Sequence, residues 1–262
     1  MSNHKDLLRH SRNYLFANLA TRALAFVSIP VYTRLLTVEE YGIVGVFMSL
    51  VGIATVLFTL NFDVAISRYY FDAKNENDFK SFVGSNIILT VIVLCITSIL
   101  FFLFLPIISE VLSFTPILTM CLLPVALYNV TNRIFEQIYN PMLQSKKFAI
   151  VSSIQIYLGF ALSVLFMFVL STKKYFGYIY GNILAMLILS VYLYKQIRPY
   201  CIFSFKRSYS KYILNYCVPY IPYTWSGVIL SQFSRIYIGN SQGYSLAGSY
   251  TLTTNIAALM NR

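Results

Sequence analysis

Apolar residues run along this chain in blocks longer than a buried helix of a small domain needs, and polar residues gather in the gaps between them. Tyr41–Phe62 and Ser81–Ser109 hold no charged residue at all. At a rise of about 1.5 Å per residue, about 20 apolar residues cross the hydrocarbon core of a bilayer. The pattern gives eight such segments: Asn13–Leu36, Tyr41–Ile66, Phe82–Ile108, Leu112–Asn132, Phe148–Leu170, Tyr175–Tyr194, Tyr212–Ser234 and Tyr244–Met260. It predicts an all-α fold, a polytopic transmembrane helical bundle of about eight helices. Pro30, Pro106, Pro116, Pro124, Pro219 and Pro222 fall within or near segments. Neighbouring helices or water satisfy the carbonyls they free.

Composition sharpens this. The 262 residues are 58% hydrophobic and 11% charged, against about 25% charged in soluble domains. The first run is too long for a signal-peptide core and lacks a small-residue cleavage site, so it is expected to act as its own membrane signal. The net charge of +11 would suggest nucleic acid in a soluble protein. In a membrane protein it reads as basic cytoplasmic loops, and no nucleic-acid partner is expected.

With the N-terminus inside, fifteen of the twenty Lys and Arg residues fall on the cytoplasmic side. Arg34, Lys173, Lys174 and Arg235 fall outside, and Arg22 lies at membrane depth. This asymmetry predicts a multi-pass protein of the cytoplasmic (inner) membrane, N-terminus in, with an even number of crossings. The longest loops, Ser67–Ser81, Arg133–Lys147 and Lys195–Lys211, are too short for an extramembrane catalytic domain. Topology signalling explains Lys206, Arg207 and Lys211, with lipid headgroups as the alternative.

The sequence has no GxxxxGK[ST], HExxH or CxxC. Both histidines, His4 and His10, are in the N-terminal tail, so no metal site and no cofactor are expected. Catalytic residues are not expected either, and the reading is of a protein that is not an enzyme.

What remains is a set of polar residues at membrane depth. Arg22 is the costliest of them, since an arginine inside a bilayer faces a polar interior, a cavity or a partner. Tyr14, Asn18, Arg22 and Thr33 share one helical face. Thr55, Thr59 and Asp63 form a second stripe at i, i+4, i+8. Asp63 is expected near the cytoplasmic edge, meeting water or Arg68. Gln155 sits in the fifth segment, and Arg133 and Glu136 are spaced to pair at the surface. Arg235 is the outer counterpart of Arg34. The cavity candidates are therefore Arg22, Asn18, Asp63, Thr59, Gln155 and Arg235.

The chain carries a weak internal echo. Asn13-Tyr14 onward and Asn215-Tyr216 onward both run apolar through a proline to an arginine (Arg34, Arg235) and restart at a glycine (Gly42, Gly248). Six crossings separate the copies, as expected for parallel six-helix halves. The predicted organisation is a first six-helix bundle over 1–194, a cytoplasmic linker over 195–211, and the first two helices of a second, truncated bundle over 212–262.

The string PVYTRLLTVEEYGIVGVFMSLVGI (Pro30–Ile53) resembles the first helical hairpin of the Wzx-like polysaccharide-biosynthesis flippases. Their R-x-L-[ST]-x-x-[ED]-[YF]-G turn is filled by Arg34, Leu36, Thr37, Glu40, Tyr41 and Gly42. SRYYFD (Ser67–Asp72) is similar to the family's inner loop. Tyr216–Leu252 resembles its seventh helix and the start of the eighth, with Pro219, Pro222, Arg235, Gly248 and Tyr250 matching and Ser234 where Asp is common.

The resemblance implies membership of the multidrug/oligosaccharidyl-lipid/polysaccharide exporter superfamily, with a MATE-like first bundle and the start of a second. It implies alternating-access transport of a polyprenyl-diphosphate-linked glycan to the outer leaflet. Membrane lipid and glycan polymerases and glycosyltransferases are the partners it suggests, and a proton or sodium gradient the coupling. The alternatives are a cation-coupled multidrug or lipid II exporter of the same architecture, and a membrane enzyme such as a polysaccharide polymerase. The tiny outer loops disfavour the last.

Overall fold

The computed structural model describes residues 23–24, 26–170 and 172–260. Among these residues the secondary structure is helical, with no strand. A helical stretch over 26–35 (α1) leads to α2 (Val38–Thr59), α3 (Val64–Asp72), α4 (Glu76–Val111), α5 (Pro116–Met120) and α6 (Leu122–Tyr139). The chain continues through α7 (Ser145–Val169), α8 (Lys174–Ile197), α9 (Arg207–Cys217), α10 (Ile221–Gln242) and α11 (Tyr244–Met260).

Among the described residues five spans are long and apolar enough to cross a membrane: Val38–Thr59, Glu76–Val111, Pro116–Tyr139, Lys146–Val169 and Lys174–Tyr200. They correspond to the second to sixth segments expected from the sequence. The protein is a multi-pass membrane protein. Most of the first segment, with Asn18 and Arg22, lies outside the described residues.

Three segment boundaries differ from expectation. The second span stops at Thr59 instead of running to Ile66. Leu60 and Asn61 take φ of 45° and 56°, the left-handed region that side-chain-bearing residues seldom enter. Thr59 supports the turn, donating its hydroxyl to the Thr55 carbonyl at 3.1 Å and accepting the Asn61 amide at 3.1 Å. The fourth span starts later, at Pro116, and runs on to Tyr139. The seventh segment is two helices. Amphipathic α9 buries Tyr209, Ile213 and Cys217 on one face, and a 3-10 turn at Val218–Tyr220 separates it from α10. Pro219 and Pro222 withhold the amide protons a continuous helix needs there.

The chain forms two compact units. The first contains the described residues of Met1–Leu50, Leu143–Leu189 and Phe233–Arg262, and the second contains Val51–Met142 and Ser190–Gln232. In the first, small residues let helices approach. A Cβ on Gly42 would collide with the Tyr244 carbonyl oxygen, and one on Gly248 with that of Val38. The two glycines paired by the internal echo therefore pack against each other, a close crossing that larger residues forbid.

The second unit has an aromatic core. Tyr69 stacks on Phe82 with ring centroids 3.8 Å apart, and Tyr209 and Tyr212 meet both rings edge-on. Asp78 draws three elements together, accepting from Tyr69 at 3.0 Å, Tyr209 at 2.5 Å and the Lys74 amide at 3.1 Å. Burial, with Asp78 alongside, pushes the Tyr69 and Tyr209 phenols up, so both remain donors at neutral pH. The stretch between α8 and α9 is tied to α4: the Ile202 amide donates to the Lys80 carbonyl at 3.1 Å, and the Ser85 hydroxyl to that of Ser204.

Candidate functional site

The break after α2 turns two polar side chains, Asn61 and Asp63, into the interior of the second unit, where both are 0% exposed. A bare carboxylate is very costly there. Helix α6 supplies its partner. Arg133 donates from Nε to Asp63 Oδ2 at 2.9 Å and from Nη2 to Asn61 Oδ1 at 2.8 Å. The Asn61 amide donates to Thr224 Oγ1 on α10 at 2.6 Å, and Thr224 donates in turn to the Ile221 carbonyl at 3.0 Å. Close by, Asn129 donates to Thr55 Oγ1 at 3.3 Å.

This network fixes one cation. A guanidinium has five N–H donors, and Asp63 and Asn61 take two. The Arg133 side chain is 26% exposed and lines an open cavity of about 330 Å3 with Val56, Asn61, Tyr223, Thr224 and Gly227. A clamped guanidinium with donors left over is a receptor for a phosphate or carboxylate group. The other Asp63 oxygen, Oδ1, is buried without a hydrogen-bond partner.

Asn18 and Arg22 lie outside the described residues. Thr59 is fully buried and occupied in the turn. The expectation that Asp63 ends a helix at the surface, facing water or Arg68, is corrected. The left-handed turn at Leu60–Asn61 carries it inward to Arg133, while Arg68 pairs with Asp72 at 3.7 Å. The expected Arg133–Glu136 surface pair is replaced in the same way, and Glu136 accepts from Asn132 at 2.8 Å. Gln155 and Arg235 are half-buried members of the first unit, where Arg235 donates to Thr254 Oγ1 at 2.9 Å. Thr59 and Asp63 belong to the second.

Arg133, Asn61 and Thr224 are the residues that sequence reasoning passed over. Hydropathy ends the fourth segment at Asn132 and leaves Arg133 in the following loop, whereas α6 continues to Tyr139. The available signal was the Asn61-Phe62-Asp63 pair directly after an uncharged run.

The hairpin motif has a structural explanation in the first unit. Thr37 and Glu40 form a capping box: the Thr37 amide donates to Glu40 Oε2 at 3.0 Å and the Glu40 amide to Thr37 Oγ1 at 3.2 Å. Glu40 Oε1 also accepts the Lys174 amide at 2.9 Å, capping the start of α8. Tyr41 accepts from Asn255 at 3.1 Å, and Gly42 makes the crossing with Gly248. The motif holds helix ends together.

A family model described as polysaccharide biosynthesis protein matches residues 7–262. The chain belongs to the polysaccharide biosynthesis protein family. No curated protein matches it. Its fold is shared with solved transporters of low sequence identity. A MATE protein in complex with Br-NRF aligns with TM-score 0.64 at 19% identity, covering 97% of this chain and 63% of the other. An outward-facing multidrug resistance MATE transporter of the MOP superfamily aligns with TM-score 0.60 at 17% identity, covering 97% and 64%. A MOP superfamily transporter from Pyrococcus furiosus, described as having a binding pocket of reverse polarity, aligns with TM-score 0.61 at 18% identity, covering 97% and 64%. This family member spans less than two thirds of the length of those structures. Two of these fold neighbours are themselves transporters.

Proposed function

We propose that the protein moves a polyprenyl-diphosphate-linked oligosaccharide across the cytoplasmic membrane by alternating access, N-terminus inside, to supply cell-surface polysaccharide such as O-antigen. The observation that carries this reading is Arg133. It is held in place by Asp63 and Asn61, lines an open cavity of the second unit, and has more N–H donors than those two partners take. Guanidinium binds phosphate oxygens in pairs, so such a site suits a diphosphate cargo. Membership of the polysaccharide biosynthesis family supports a glycan as the attached group. Arg22 and Asn18 are proposed as further cavity residues, with glycan polymerase and glycosyltransferases as partners.

The test is complementation. Cells lacking their own lipid-linked-glycan flippase, with the matching glycan genes, receive wild type, Arg133→Lys or Arg133→Gln at equal protein levels. Wild type is expected to restore surface glycan, Arg133→Lys to restore it in part, and Arg133→Gln not at all. Full export by Arg133→Gln would remove Arg133 from the cargo path.

A cation-coupled drug exporter is the second reading, and the unpartnered buried Asp63 Oδ1 favours it. Such an oxygen suits a proton or a sodium ion. Drug efflux driven by either gradient and abolished by Asp63→Asn, without glycan export, would decide for it.

A further inference from the structure

A second cavity in the same unit, of about 270 Å3, lies along α4 and α6 and the end of α8. Ile87, Leu94, Leu127 and Ile134 form its apolar walls, and Phe203 and Arg198 also line it. Such apolar walls suit a hydrocarbon chain better than a sugar.

Two polar groups qualify that choice. Arg198 is exposed, lies over the Phe203 ring at 5.6 Å and makes one long contact, 3.5 Å, to the Cys201 carbonyl. Among the described residues no carboxylate pairs with it. Its charge is therefore available to an anion at the groove.

The other group is Thr90. It is 1% exposed, lines the groove, and its hydroxyl has no hydrogen-bond partner. Helix threonines ordinarily donate back to the carbonyl four residues earlier, as Thr55, Thr59 and Thr97 do here. Thr90 keeps its donor unspent. At 1.5 Å per residue it lies about 7–8 Å further along α4 than Ser85, which bonds Ser204 beyond the Arg198 turn.

A charge beside the groove and a hydroxyl within it match a phosphate followed by an ester carbonyl. Helix α4 also leaves Ile92, Ile96, Ile99 and Leu103 exposed, as a bilayer-facing helix does. We propose that this groove binds an anionic phospholipid of the surrounding bilayer, with one acyl chain between α4 and α6, the phosphate on Arg198 and the ester region at Thr90. The site is separate from the Arg133 cavity and does not rest on the proposed cargo.

Native mass spectrometry of the full-length, delipidated protein in detergent tests this, with phosphatidylglycerol, phosphatidylcholine and undecaprenyl phosphate as probes. Wild type is expected to hold phosphatidylglycerol about fivefold more tightly than phosphatidylcholine, the contribution of one basic residue to an anionic headgroup. Arg198→Glu, at an exposed position, should erase that preference while leaving the thermal unfolding midpoint unchanged. Leu127→Trp should reduce binding of both phospholipids by filling the groove, and Thr90→Val should weaken both alike. Equal binding of the two lipids by wild type, or a preference that survives Arg198→Glu, overturns the proposal. So does displacement of phosphatidylglycerol by undecaprenyl phosphate at lower concentration with the same Arg198 dependence, because the groove would then hold a prenyl chain. These readouts are indifferent to glycan export, so failure here leaves the proposed function standing, and the converse.

Discussion

The Asp63–Arg133 pair allows folding to be separated from transport. Asp63 is fully buried, with Arg133 Nε 2.9 Å from its Oδ2 and a side chain only 26% exposed. Arg133→Met keeps most of the volume but leaves the carboxylate without its cation. Removing one member of a buried pair costs about 3–5 kcal/mol. In a chain of this size each kcal/mol lowers the unfolding midpoint by about 2–4 °C, so a fall of roughly 6–20 °C is expected. Asp63→Asn costs less, about 1–3 kcal/mol, because the part-exposed guanidinium can turn toward water. The double variant Asp63→Asn/Arg133→Met has no charge left to strand. Its loss of stability should be smaller than the sum of the two single losses, by a coupling of about 1–3 kcal/mol. Trp225, the single tryptophan, follows Thr224 in the same cluster and reports unfolding by its fluorescence in detergent micelles. Glycan export should fail in the double variant even where its stability recovers, because the guanidinium lining the cavity is gone. An Arg133→Met midpoint within about 1 °C of wild type, or strictly additive effects in the cycle, would refute the reasoning.

Other outcomes follow from single contacts. Glu40→Ala removes side-chain acceptors from the starts of α2 and α8 and should cost about 1–2 kcal/mol for each cap lost, read as a lower unfolding midpoint. Gly248→Leu pushes a side chain into the Val38 carbonyl and should lower folded yield sharply on gel filtration, whereas Gly243→Leu, in open space but at φ 92°, should cost only its backbone strain. Tyr209→Phe deletes a bond to Asp78 and should cost about 1–3 kcal/mol, with faster hydrogen exchange in α9 against the rest of the unit.

The number and place of the long spans were legible because each needs about 20 apolar residues, and the uncharged runs before Phe62 and Ser109 supply them. Their ends were harder to place. Hydropathy does not register a reversal of φ, so the apolar run through Leu60, Phe62 and Ile66 looked continuous across a left-handed turn. The same blindness joined α9 to α10, although Pro219 and Pro222 stood there as a warning. The hairpin motif was recognisable as a pattern, but its purpose needed coordinates: Glu40 caps a helix that starts 134 residues later.

By itself the sequence determined the membrane setting, the all-α class and the family, since these depend on local composition and on short motifs. It also showed that charge at membrane depth must have a purpose, because desolvation makes it costly wherever it sits. Tertiary structure decided which charges meet. Arg133 and Asp63 are seventy positions apart, each near the end of a different apolar segment, and nothing in either segment points to the other. Asn61 and Thr224 lie 163 apart, in segments with no visible relation. Whether a polar residue near a helix end is solvated or sealed in a network depends on what the chain folds over it, and that information resides in no single segment.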